Sequence, residues 1–117
     1  MNATTLAQKG YAPIAAPLKS ARKVEFDVVA RITSRLSGAM KEKDFNKLIE
    51  AMHENRTLWR KFGLDASSPQ NLLPEDLRAR IIYLAEFTEH HTRKAIRGQA
   101  SALPLVEVNT AILRGLK

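Results

Sequence analysis

Residues 73–98, LPEDLRARIIYLAEFTEHHTRKAIRG, carry both a start and a stop signal for one long helix. Pro74 suits the first helical position, where its missing N–H costs nothing. Glu75 and Asp76 follow in the first turn, where carboxylates oppose the positive end of the helix dipole. Arg93, Lys94 and Arg97 crowd the last turn, and Gly98 can take the left-handed conformation that ends a helix. Between them Leu77, Ile81, Leu84, Thr88, Thr92 and Ala95 recur at three- and four-residue steps, with Ile82, Ala85 and Ile96 widening the stripe. A helix from Pro74 to Arg97 spans about 36 Å, enough to cross a small domain. The other helices are expected to pack on it.

Two more stripes precede it. Ser20 is a candidate N-cap for a helix from Ala21 to about Met40, in which Val24, Val28, Ile32, Leu36 and Ala39 share one face and Arg31 and Arg35 the other. Residues 41–44 read as a turn. Asp44 reads as the N-cap of a second helix, defined by Phe45, Leu48, Ile49, Met52, Trp59 and Phe62 and ended by Gly63. The short turn makes these two helices antiparallel neighbours. Ser101 can cap a last helix from about Leu103 to Arg114, with Gly115 after it. At the other end, residues 2–10 suggest a short helix. Residues 11–18, YAPIAAPL, hold two prolines and read as an extended arm laying Tyr11, Ile14 and Leu18 across the body. The expected fold is all-α: one domain over residues 1–117, a small bundle of three principal helices plus short terminal ones, with an arm at 1–19 and a body at 20–117.

Composition narrows the function. Apolar residues make up 44% of the chain, enough for a core, and there is no Cys to form a disulfide or bind a metal as thiolate. No apolar run approaches a membrane span, and the N-terminus lacks the basic region and apolar core of a Sec signal. The net charge is +7, from 19 Lys and Arg against 12 Asp and Glu. This admits an anionic partner such as RNA, but acids are interleaved throughout and only 6% of residues are aromatic. His53, His90 and His91 do not form a zinc-ligand spacing, because adjacent side chains on a helix point about 100° apart. No nucleophile elbow, P-loop or dinucleotide glycine pattern occurs. The chain is therefore expected not to be an enzyme, with no catalytic residue, no metal and no cofactor.

Polar residues on apolar stripes are the remaining candidates. Asn55 and Arg56 stand just before Leu58 and Trp59, and Asn109 lies on the stripe of the last helix. Such groups must be hydrogen-bonded if buried, so they either fix helix register or face a partner. With Tyr11, Ile14 and Leu18 of the arm, the candidate protein-binding residues are Asn55, Arg56, Leu58, Trp59 and Asn109.

At these residues the sequence resembles the bacterial flagellar biosynthesis regulator FlaF family. The matching pieces are AMHENRTLW at 51–59, similar to that family's A-x-x-x-N-x-x-L-W; LPEDLRARIIYLA at 73–85, similar to L-P-x-x-L-R-A-x-I-I-x-L-A; His91-Thr92; and LVEVNTAILRGL at 105–116, similar to L-I-D-I-N-x-x-I-M-x-G-L. A weaker start, SARKVE at 20–25, resembles S-P-R-x-x-E with Ala21 in place of Pro. The resemblance implies a cytoplasmic, non-enzymatic accessory protein of flagellum assembly. It would bind flagellin as an export chaperone for type III secretion and support regulation of flagellin synthesis, with a second regulator, FlbT, as a further partner. An RNA-associated regulator of flagellin translation, acting through flagellin mRNA or FlbT, is the alternative it leaves open. Membrane insertion and direct nucleic-acid binding are not expected.

Overall fold

The computed structural model describes the backbone of residues 12–116 and the side chains of residues 25–115. Among the described residues four helices follow one another: α1 (Ala12–Glu42), α2 (Phe45–Ser67), α3 (Glu75–Ile96) and α4 (Leu103–Leu116). Neighbouring helices pack as α1 on α2, α2 on α3 and α1 on α4, with only slight contact between α3 and α4. The pairs α1/α3 and α2/α4 are diagonals whose backbones do not approach. The expected all-α bundle is thus present, but the helix that most others lean on is not the one at 75–96. α2 joins the two halves, and α1, at 31 residues, is the longest.

Several boundaries differ from the sequence reading, each for a physical reason. Residues 12–18 are helical rather than an extended arm, and α1 runs straight through Ser20, which is therefore not an N-cap. Pro13 falls in the first turn, where an N–H has no intrahelical acceptor, and Pro17 forfeits a single hydrogen bond one turn later. Ile14 and Leu18 thus belong to a helix. Tyr11, and the short helix expected at 2–10, lie outside the described residues. Gly63 does not stop α2, which continues to Ser67. Its role is close approach: a Cβ built at Gly63 would meet the Ala85 Cβ at 2.9 Å, so α2 and α3 touch where the glycine has no side chain. Gly115 is likewise inside α4.

The helix ends explain the turns. Lys43 takes a left-handed φ of 55°, and its N–H and that of Asp44 reach back to the Met40 and Ala39 carbonyls. Asp44 at once caps α2, its carboxylate accepting from the Lys47 N–H at 3.1 Å. At the end of α3, Gly98 has φ 74°, and the Gly98 and Gln99 N–H groups bond the Ala95 and Lys94 carbonyls. This paired closure is the one that a left-handed residue after a helix permits. Ser101 accepts from the Leu103 N–H at the start of α4, as its position suggested.

The core lies where α1, α2 and α4 converge. Ile32, Leu36, Met52 and Leu105 are nearly or fully buried, with Ala51, Ala95 and Ala102 between them. On α3 only Thr88, Thr92 and Ala95 are buried, and Leu77 of the expected stripe is exposed. Among the described residues α2 is the main neighbour of α3.

Candidate functional site: a polar diagonal and an arginine cluster

Asn55, Trp59 and Asn109, singled out above, come together inside the bundle and are almost wholly inaccessible. The Trp59 indole N–H donates to the Asn109 amide oxygen at 2.8 Å. The Asn109 amide N–H donates to the Asn55 oxygen, also at 2.8 Å. Asn55 and Trp59 are one turn apart on α2, so one side chain from α4 meets both. The bridge runs along the α2/α4 diagonal, which no backbone contact spans. Hydrogen bonds at such a distance from the backbone fix how far one helix may slide past the other. Trp59 also meets Phe62 edge to face, with ring centroids 5.3 Å apart. Among the described residues, four buried side-chain polar atoms make no hydrogen bond to protein groups: Asn55 Nδ2, Thr88 Oγ1 and Thr92 Oγ1 here, and Glu89 Oε2 on the α2–α3 seam. Leu58 is half-buried beside the core.

Arg56 does not join this interior. It turns to the α2–α3 seam, where Glu89 of α3 gathers three guanidinium groups. Arg60 Nε donates to Glu89 Oε1 at 2.6 Å, and Arg56 and Arg93 stand 3.5 Å from Oε2. The hydrogen bond from Arg60 holds the Glu89 carboxyl below the usual carboxylate range against the opposing effect of its burial; the charges of Arg60, Arg56 and Arg93 add to the lowering. The same bond raises Arg60. Arg56 also donates to the His53 Nδ1 at 3.2 Å, which places any neutral imidazole proton on Nε2.

Residues to which the sequence assigned no contact hold the ends of α2 and α3. Arg78 donates to the Ala66 and Ser68 carbonyls at 2.9 and 3.1 Å, and the Asn71 amide donates to the Asp65 carbonyl. These side chains do for α2 what a terminal glycine would otherwise do. His91 stacks on Phe87, and its Nε2 hydrogen-bonds the Ser101 carbonyl at 2.7 Å, tying α3 to the start of α4. Arg78 and His91 both stand in the matching motifs, but neither motif names the acceptor.

Large apolar side chains remain exposed at both ends. Leu64, Leu72, Leu77 and Tyr83 lie in the α2–α3 hairpin, with Leu64 at 75% and Tyr83 at 66% exposure. Phe45 and Leu103 are exposed at the opposite end, where Met40, Phe45, Leu48 and Ala95 line a groove of about 310 Å³. Among the described residues, no group of three or more His, Asp or Glu side chains is placed to hold a metal ion, and no helix is long and apolar enough to cross a membrane.

The motif residues Asn55, Trp59, Arg78, His91, Thr92, Leu105 and Asn109 therefore all serve the interior or the helix ends, so the motifs report a particular bundle. No curated protein and no solved structure matches the chain. The family model described as flagellar protein FlaF matches residues 7–116, nearly the whole chain, and the protein belongs to that family.

Proposed function

We propose that this flagellar protein is a cytoplasmic, non-enzymatic accessory factor that binds flagellin as an export chaperone and supports regulation of its synthesis and secretion. The observation that carries the reading is the apolar hairpin end, where Leu64, Leu72, Leu77 and Tyr83 face solvent on the packed α2–α3 pair. Apolar side chains exposed on helices suit an amphipathic helical client, whose own apolar face needs cover until export. FlbT is a second partner in this reading. The buried Asn55–Asn109–Trp59 bridge supports the surface by holding the bundle in register; the contact residues are the exposed ones.

Calorimetry with purified flagellin tests it. Binding is expected to survive several hundred millimolar salt, because apolar contacts are not screened. A Leu77→Ser/Tyr83→Ser variant, both positions being exposed, is expected to fold normally and bind at least tenfold more weakly. No binding by the wild type would overturn the reading. The +7 charge supports the RNA-associated alternative, for which flagellin mRNA would be retained at low salt and released at high salt.

A further inference from the structure

The arginine cluster at Glu89 holds more positive charge than it needs to join two helices. One guanidinium, that of Arg60, makes the close hydrogen bond. Arg56 and Arg93 flank the other carboxylate oxygen at 3.5 Å, and that buried oxygen accepts no hydrogen bond. Their forks therefore stay near the carboxylate while spending little of their donor capacity on it. Three positive charges against one negative leave a local excess of two. The long side chains are already confined by Glu89, and Arg56 by His53 as well, so little rotamer freedom remains to be lost on binding.

The cluster also has direction. Arg56 and Arg60 are one turn apart on α2, a rise of about 6 Å, and Leu64 continues the same face one turn later as the most exposed large apolar residue described. Arg93 lines the facing edge on α3. Two cationic positions and an apolar one at successive turns match a helix that carries carboxylates at four-residue spacing and an apolar residue beyond them.

We propose that the α2–α3 seam is a docking surface for an acidic amphipathic helix of a protein partner, its carboxylates meeting Arg60, Arg56 and Arg93 and its apolar end meeting Leu64. A protein carboxylate fits better than a nucleic acid. None of Arg56, Arg60, Leu64 and Arg93 carries an aromatic ring for a base to stack on, and the exposed Leu64 offers an apolar contact that a phosphate chain does not use. The surface shares Leu64 with the one proposed for flagellin but is centred on the arginines rather than on Leu72, Leu77 and Tyr83: flagellin calorimetry with the Leu77→Ser/Tyr83→Ser variant tests that reading, and the following experiment tests this one.

The probe is a fluorescent helical peptide with Glu pairs at four-residue spacing followed by Leu. Controls are the same peptide with Lys for Glu, a scrambled sequence, and a single-stranded RNA of similar charge. Anisotropy with the full chain is expected to show binding of the acidic helix alone, weakened at least tenfold between low and high salt. Arg60→Glu/Arg93→Glu, at two exposed positions, is expected to weaken it at least tenfold with an unchanged far-UV spectrum. Leu64→Ser is expected to weaken it at all salt concentrations. No binding of the acidic peptide, equal binding of the scrambled one, an unchanged affinity in the arginine variant, or tighter binding of the RNA would each overturn the proposal. Arg60→Lys/Arg93→Lys, which keeps the charge, is expected to retain most of the affinity; a loss as large as in the reversal would overturn the electrostatic account.

Discussion

Replacing Asn109 by Leu keeps a branched side chain but removes both polar atoms of the diagonal bridge. Two contacts of 2.8 Å disappear. The Trp59 indole N–H is then buried without an acceptor, which costs about 1–3 kcal/mol. The Asn55 oxygen loses its donor, for another ~1–3 kcal/mol, on a side chain whose Nδ2 already makes no protein hydrogen bond. Burial of the added apolar surface returns about 1 kcal/mol. The expected net loss is about 1–5 kcal/mol, a large share of the ~5–15 kcal/mol that holds a domain together. For a chain of this size it lowers Tm by roughly 4–20 °C. Urea titration followed by far-UV circular dichroism measures it. The sharper test repeats the substitution in a Trp59→Phe background, where no indole N–H remains to be orphaned. There Asn109→Leu is expected to cost about 1–3 kcal/mol less. Equal costs in both backgrounds, or a single variant within ~0.5 kcal/mol of wild type, would refute the bridge as a determinant of stability.

Four other outcomes are expected. Trp59→Ala should destabilise by about 3–5 kcal/mol in the same titration, since the ring is buried and meets Phe62. Gly63→Ala should destabilise by about 1–2 kcal/mol despite better helix propensity, because its Cβ meets Ala85 at 2.9 Å, and Ala85→Gly in the same chain should recover most of the loss. Lys43→Gly should raise stability by about 1 kcal/mol by relieving the left-handed φ of 55°; an unchanged or lower midpoint would count against strain there. Glu89 has a folded pKa below its unfolded value, so its contribution is complete above about pH 5 and is lost as pH falls through the folded value. The stability gap between wild type and Glu89→Gln should therefore be largest near neutral pH and shrink below about pH 4 in acid titrations.

The helical periodicity, the Asp44 cap and the Gly98 closure were legible because each is decided within a few neighbouring residues. Gly63 was misread because a glycine that ends a helix and one that lets two helices touch look alike in sequence; Ala85, the residue that distinguishes them, is on another helix. Ser20 looked like a start because the prolines upstream suggested an arm, yet their positions near the beginning of α1 leave few hydrogen bonds to lose. The stripe on α3 gave its periodicity but not its cover, so the exposure of Leu77 could not be foreseen. For the site, Asn55, Trp59 and Asn109 stood out as polar or amphipathic groups on apolar faces. Which of them bond one another depends on how α2 and α4 slide along the diagonal. The convergence of Arg56, Arg60 and Arg93 on Glu89 depends on the register of α2 against α3 in the same way.

The diagonal bridge also sets a clock on synthesis. Asn109 follows Asn55 by 54 residues, so at ~5–20 residues per second about 3–11 s pass between the two leaving the peptidyl-transferase centre. Throughout that interval the Trp59 indole and the Asn55 amide lack the Asn109 partner they have in the folded chain. Leu36 and Met52 meanwhile lack the Leu105 side that closes over them. The nascent chain can coil into α1, α2 and α3 early, but the side of α1 that packs on α4 has no cover until the last helix arrives. A growing chain in this condition is more exposed to wrong association than the finished protein, and slowed translation between codons 59 and 109 would lengthen that exposure.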